Sequence, residues 1–288
     1  METLLAHSFD YLSSYEPSKV RKGLRQVEGL LAQICLSKSK CAATPDRRRS
    51  YLAASETQPV PKALSELRDD PAFREFFKLQ ESFQWNVAMR LVSCLEHLLG
   101  RGSNGTNDML IVCTLDLIQG ALLLHPPSRT LFAREIYMNL LLDLLDPINC
   151  PAIQSATLLT LVTALIDCPA NTRTFEDLDG LLTVTSLFKQ RATSREVKLK
   201  LVEFLYFYLM PETPILGPGI SPPGLQRSPS KISSRPLSQS SHTAAAGKMS
   251  RDTRTTDEKQ ALLGRYLNNV EDLVEDLKET APFGATVY

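Results

Sequence analysis

An internal repeat constrains this chain more than any single motif does. The stretch DMLIVCTLDLIQGALLLH (108–125) aligns with AIQSATLLTLVTALIDCP (152–169), so that Met109, Leu117, Ile118, Ala121 and Leu122 fall 44 residues before Ile153, Leu161, Val162, Leu165 and Ile166. A third copy follows at the same step: Val197, Val202, Leu205, Tyr206, Leu209 and Met210 lie 44 residues after Ile153, Leu158, Leu161, Val162, Leu165 and Ile166. Between these apolar stretches SRTLF (128–132) nearly matches TRTFE (172–176), a likeness beyond what two amphipathic helices share by register alone. A period of 44 lies within the roughly 40–47 residues of armadillo and HEAT units, which bury their apolar faces against the next unit in the stack.

Leu, Val and Ile recur at helical spacing from residue 3 to about 210, with Pro or Gly between blocks, so the body reads as all-α. The spacing predicts helices over 3–13, 18–36, 71–79, 82–99, 108–124, 128–145, 152–167, 171–189 (broken near Gly180) and 195–209. Within a unit the order is short helix, short helix, longer apolar helix, as in armadillo repeats. Asn171 would begin the first helix, and Gly180, lacking a Cβ, would permit the sharp turn into the second. The fold expected is an armadillo/HEAT-like α-solenoid over 1–210, with an exposed Lys/Arg/Ser/Pro-rich loop at 37–61.

Beyond the repeats the composition changes. From Pro211 to Ser250, 16 of 40 residues are Pro or Ser and none is aromatic, too little apolar area to offset the entropy of ordering, so 211–256 reads as a disordered linker. Residues 257–279 return to a helical pattern, with Leu263, Tyr266, Val270, Leu273 and Leu277 stepping 3, 4, 3, 4. That amphipathic C-terminal helix needs a cover: the end of the solenoid, a partner's groove, or a second copy in a homodimeric coil.

Charge and cysteine content exclude several classes. Lys plus Arg and Asp plus Glu number 32 each, and this neutrality argues against a nucleic-acid partner, which would need a basic surplus. The zero is a sum of unlike parts: about +6 over 16–50, +4 over 211–256 and −4 over 257–279. Six cysteines without CxxC spacing and a start, METLLAHSFD, without an apolar h-region read as a reduced cytoplasmic or nuclear protein. No apolar run approaches the roughly 18 residues of a membrane span, so membrane insertion is not expected.

The apparent chemical motifs fail on their details. Gly100-Arg-Gly102-Ser-Asn-Gly105 is a literal GxGxxG, but it follows a predicted helix where dinucleotide binding needs a strand. Cys41 to Arg47 has the spacing of a cysteine phosphatase loop, yet Pro45 removes an N–H donor and Asp46 would repel phosphate; Cys168 to Arg173 is one residue too short. The four histidines stand apart, and no HExxH, Walker loop or GxSxG occurs. No catalytic residue, metal site or cofactor is therefore assigned. Candidate phosphorylation sites are Ser50, after Arg47-Arg48-Arg49, and Ser221 and Ser228, each before proline; phosphate there would weaken the attraction of the basic tether for the acidic helix. On 195–209, with Val197, Leu201, Val202, Leu205 and Leu209 facing the core, Lys198, Lys200, Glu203 and Tyr206 are candidates for partner contact.

The stretches SFDYLSSYEPSKVRKGLRQVEGLLAQICL (8–36), DPAFREFFKLQESFQWNVAMRLVSCLEHLLG (70–100), HPPSRTLFAREIYMNLLLDLLDP (125–147) and NTRTFEDLDGLLTVTSLFK (171–189) together resemble the fungal cell division control protein 14 family of the septation initiation network, which is unrelated to the phosphatase of the same name. The resemblance covers roughly 1–210, with the linker and last helix as lineage-specific additions. It implies a non-catalytic subunit that binds and supports a sterile-twenty-like, germinal-centre-class protein kinase at the spindle pole body, promoting septation and cytokinesis. The alternative readings are an armadillo-type cargo adaptor, against which stands the absence of a Trp/Asn ladder (the one tryptophan is Trp85), and a cysteine-dependent phosphatase.

Overall fold

The computed structural model describes residues 1–36, 60–100, 105–212, 253–272 and 275, and among these all regular structure is helical. In chain order the α-helices are α1 (Glu2–Leu12), α2 (Pro17–Cys35), α3 (Leu64–Asp69), α4 (Pro71–Gln80), α5 (Val87–Leu99), α6 (Asp108–Leu124), α7 (Glu135–Asp143), α8 (Pro151–Leu165), α9 (Pro169–Asp177), α10 (Gly180–Lys189), α11 (Arg195–Leu209) and α12 (Thr256–Leu263), with a 3-10 helix, Pro126–Ala133, between α6 and α7. Leu36 and Pro61 form an isolated antiparallel bridge.

The termini follow local chemistry. Prolines occupy the first turns of α2, α4, α8 and α9, where a missing N–H costs nothing. The expected helix over 82–99 begins later, at Val87, because Asn86 accepts from the Met89 N–H (2.9 Å) and Gln80 Oε1 from the Val87 N–H (2.7 Å). The expected helix over 128–145 is two elements: Pro126 and Pro127 start a 3-10 helix, and Arg134 is extended (φ −86°, ψ 126°) before α7. Short α3 lies just beyond the expected loop, of which 37–59 falls outside the described residues.

The long apolar helices form one layer, in which α2 packs on α6, α6 on α8 and α8 on α11. Behind it the 3-10 helix packs on α7 and α9. Polar side chains fasten neighbouring segments: Gln119 Nε2 donates to Thr160 Oγ1 (3.3 Å), joining α6 to α8, and Asn171 Nδ2 donates to the carbonyls of Ala164 (2.6 Å) and Arg129 (2.7 Å). Asn171 therefore does not open α9, which begins at Pro169; it is buried as a tie. Thr114, Thr157 and Thr160 sit in the layer because each hydroxyl donates to the carbonyl four residues earlier.

Burial corrects the repeat register. Met109 is 69% exposed whereas Ile153, its expected counterpart, is 2% exposed. A step of 43 instead matches buried Leu110, Ile118 and Leu122 to Ile153, Leu161 and Leu165, and exposed Leu123 to Ile166. Between α8 and α11 the step of 44 holds, with Ile153, Leu161 and Leu165 matching Val197, Leu205 and Leu209. The connection before α8 is one residue shorter than the one before α11 relative to the helices it joins.

Gly180 acts differently from the sequence expectation. The left-handed residue of the turn is Asp179 (φ +56°), and a Cβ on Gly180 would stand 2.3 Å from the Phe175 ring and 2.6 Å from the Phe175 carbonyl oxygen. Its hydrogen lets α10 press against α9. Gly180→Ala should thus cost about 3 kcal/mol in denaturant unfolding, while Asp179→Gly, which relieves a positive φ, should be neutral or slightly stabilising.

His125, closing α6, is buried with Phe77 edge-on at 4.6 Å and Nδ1 2.8 Å from Ser128 Oγ, which also accepts from Asn86 Nδ2 (2.8 Å). Burial holds its pKa below the ordinary 6.5, partly offset by Glu81. The unfolded chain then binds the proton first, so stability should fall as pH drops below 6.5. A His125→Gln variant should lose that part of the acid sensitivity in melts taken from pH 7.5 to 5.5.

Candidate functional site

On α11 the structure separates the four residues singled out for partner contact. Lys200 Nζ pairs with Glu203 (2.8 Å) on the surface, Lys198 is half-buried one turn away, and Tyr206 is half-buried further along the helix. Val197, Leu201, Leu205 and Leu209 face the core as expected, Val202 is half-buried, and Phe204 and Tyr208 are buried too. The exposed side also carries apolar Leu199 and Met210. Ser50, Ser221 and Ser228, the Cys41–Arg47 stretch and most of the 211–256 linker lie outside the described residues.

A more concentrated group of charges lies where the chain returns after residue 253. The C-terminal segment folds back on the last helix of the layer, α12 packing against α11 with Leu263 and Val270 buried and Leu262, Tyr266 and Leu267 partly so. The expected continuous helix from 257 is interrupted: α12 ends at Leu263, residues 264–269 form turns, and 270–272 are helical again. Its apolar stripe is covered, over the described residues, by the chain's own body.

The joint is ionic and buried. Glu176 of α9 receives the Tyr208 hydroxyl on Oε1 (2.7 Å), and its Oε2 is 3.1 Å from Arg173 and 2.7 Å from Arg254. Glu212 pairs with Arg173 and with Lys259 (3.2 Å), and its Oε2 accepts the Arg254 N–H (2.9 Å). Lys259 is only 4% exposed; its ammonium also donates to the Met210 carbonyl (2.9 Å) and lies 5.2 Å from the centre of the Tyr208 ring. Burial pushes the Glu176 carboxyl up, against the pull of Tyr208, Arg173 and Arg254, and pushes Lys259 down, against the pull of Glu212. Three cations thus meet two carboxylates: Glu176, Glu212 and Arg173 come from the body, and Arg254 and Lys259 from the returning segment.

Sequence reasoning missed Glu176, Glu212, Arg254 and Lys259. The repeat gave no sign of them: at the step of 43 residues Phe132 matches Phe175, both fully buried, and Glu176 falls opposite exposed Ala133. Arg129 and Arg173 each reach forward along the chain, Arg129 to the Ile166 carbonyl (3.0 Å) and Arg173 to Glu212.

The thiols and histidine among the described residues are not set up for reaction. The thiols of Cys35 and Cys113 are raised by burial and that of Cys94 is pushed up to about 12, all away from the reactive thiolate. The His125–Ser128 pair is buried beneath Phe77, beyond reach of a substrate. Among the described residues no group of three or more His, Cys, Asp or Glu is placed to hold a metal ion, and no helix is long and apolar enough to cross a membrane. The GxGxxG glycines follow helix α5, not a strand; Gly105 has φ +81° and 101–104 lie outside the described residues.

An all-helical layered chain whose distinctive polar site joins its own segments defines a class of helical proteins built around surfaces. A profile of the family described as "Cell division control protein 14, SIN component" matches residues 1–283. "Cell division control protein 14" of Schizosaccharomyces pombe is 31% identical over 293 residues, covering 99% of this chain and 97% of that protein. The chain therefore belongs to the cell division control protein 14 family of SIN components, not to the phosphatases that share the number. No solved structure matches it. The match corrects the expectation that the similarity stops near 210: it runs through the linker and the C-terminal segment.

If the joint holds the C-terminal segment, removing one buried partner leaves its counter-charge stranded. Glu212→Ala should lower the stability of the docked segment by about 3 kcal/mol, read by hydrogen exchange of α12, whereas Lys200→Ala, which breaks a surface pair, should cost under about 1 kcal/mol.

Proposed function

We propose that this protein is a non-catalytic scaffold subunit of the septation initiation network that binds a sterile-twenty-like, germinal-centre-class kinase and supports its activity in septation and cytokinesis. Membership of a family named for cell division control and as a SIN component is the observation that carries the reading. We further read the helical layer as an armadillo-type solenoid. In support, α6, α8 and α11 pack in succession at steps of 43 and 44 residues, and in the two last units two short helices precede each long one.

The outer side of that layer suits a protein partner. Leu123, Ile166 and Met210 are exposed at equivalent positions of the three long helices, and Leu159 and Leu199 are exposed apolar side chains nearby on the same helices. With Lys200, Glu203 and Tyr206 on α11 they make an amphipathic surface on which a partner segment can lie across several units. Binding there would favour the kinase's active arrangement by differential affinity, with no chemistry supplied by the scaffold. Such a subunit would work in the cytoplasm and at the spindle pole body.

Affinity capture of the full chain from dividing cells should recover the kinase, and the purified pair should phosphorylate substrate faster than the kinase alone. Capture without a kinase, or a pair with unchanged turnover, contradicts this reading. Hydrolysis of an aryl phosphate by the clean protein, lost in Cys41→Ser, would instead favour the phosphatase alternative.

A further inference from the structure

The closed end of the layer is chemically polarised. The body supplies the carboxylates Glu176 and Glu212; the returning segment supplies the cations Arg254 and Lys259 and an apolar stripe led by Leu263 and Val270. Entry is pinned by the backbone as well, since the Glu212 N–H donates to the Arg254 carbonyl (3.1 Å) and Glu212 Oε2 accepts from the Arg254 N–H (2.9 Å). Viewed without its segment, this face is an apolar groove with an acidic rim. Such a face selects its occupant by charge: Glu176 and Glu212 are both more than nine-tenths buried and share Arg173, so an occupant lacking positive charge would leave two buried carboxylates with a single cation.

Among the described residues the occupant leaves room against the body. α12 has eight residues, too few to be a stable helix alone. A cavity of about 240 Å³ remains between Ile166, Pro169, Phe207, Met210 and Lys259. A second of about 480 Å³ lies between Phe188, Val202 and Leu205 on one side and Leu267 and Asn269 on the other. A continuous helix would present side chains to this volume that the turn at 264–269, among the described residues, does not.

We propose that the face of α9 and α11 closed by residues 253–272 is a docking site for a partner helix of the same chemistry, a short amphipathic helix with an apolar stripe and Arg or Lys at its N-terminal end, and that the chain's own segment is its intramolecular competitor. The segment is tethered to the face it covers, so it acts at an effective concentration on the order of millimolar, and an incoming helix binds more weakly by the corresponding factor until the segment is displaced. This face adjoins the surface proposed for the kinase at Ile166 and Met210, and its test uses no kinase, so the two readings fail separately.

A labelled synthetic peptide of residues 253–272 serves as the partner helix. Full-length Arg254→Ala/Lys259→Ala protein releases its own segment while keeping Glu176 and Glu212 on the body. By fluorescence anisotropy this variant should bind the peptide roughly tenfold or more tighter than the wild-type chain does, and a peptide carrying the same two alanines should bind neither. Equal affinity for both chains, no binding to the variant, or equal binding of the alanine peptide would each overturn the proposal. Lys259→Ala alone, with circular dichroism to confirm the native helix content, provides the same comparison should the double variant melt early.

Discussion

The fold rests on one constraint: α6, α8 and α11 must lie side by side in a single layer, because each carries more apolar surface than its own short neighbours can cover. Leu110, Ile118 and Leu122, then Ile153, Leu161 and Leu165, then Val197, Leu205 and Leu209 are buried at matching positions, while α6 packs on α8 and α8 on α11. Hydrophobic burial alone would leave such helices free to slide. The polar ties remove that freedom, since Gln119 must find Thr160, and Asn171 must find both Ala164 and Arg129, for buried donors to be satisfied. The short helices then follow from what remains uncovered behind the layer, and the close approach of α10 to Phe175 is possible because residue 180 has no Cβ.

A layer built this way has an open end. In stacked helical arrays the last unit needs a polar outer face or a cover. Here α11 keeps Phe204 and Tyr208 buried against α9, and the returning segment covers the rest. The cover is held by charges as much as by apolar contact, and buried charge pairs contribute little net stability compared with a well-packed apolar joint. What they supply is selectivity, because a mismatched occupant strands a carboxylate. A joint that is selective without being strongly stabilising suits a segment that comes and goes.

Much of the layer was legible in the sequence, because a repeat displays its core positions several times over. Helices α1, α2, α4, α6 and α8 to α11 were placed within a few residues, α5 starts five residues later than expected, short α3 was missed, and the apolar face of α11 was largely read correctly. The register between α6 and α8 was off by one, since Met109 and Leu110 are equally apolar and sequence pattern alone cannot choose between them. The single helix expected over 128–145 failed because two prolines at its start favour a tighter turn, and Gly180 was credited with a backbone freedom that Asp179 exercises instead. The ionic joint was illegible for a plainer reason: its members are scattered over Arg173, Glu176, Glu212, Arg254 and Lys259, and charged residues in helices usually face water. The repeat did not betray them either, because Phe132 matches buried Phe175 and Glu176 falls opposite exposed Ala133.

The central claim is that this family member works through the outer surface of its helical layer. Hydrogen exchange of the full-length protein, with and without the kinase proposed as its partner, tests this most directly. The account predicts that the kinase slows exchange along α6, α8 and α11, which carry the exposed row Leu123, Ile166 and Met210, and leaves α1 and α2 unchanged. Protection confined to α1 and α2, or no change in the layer when the kinase is bound, would contradict it.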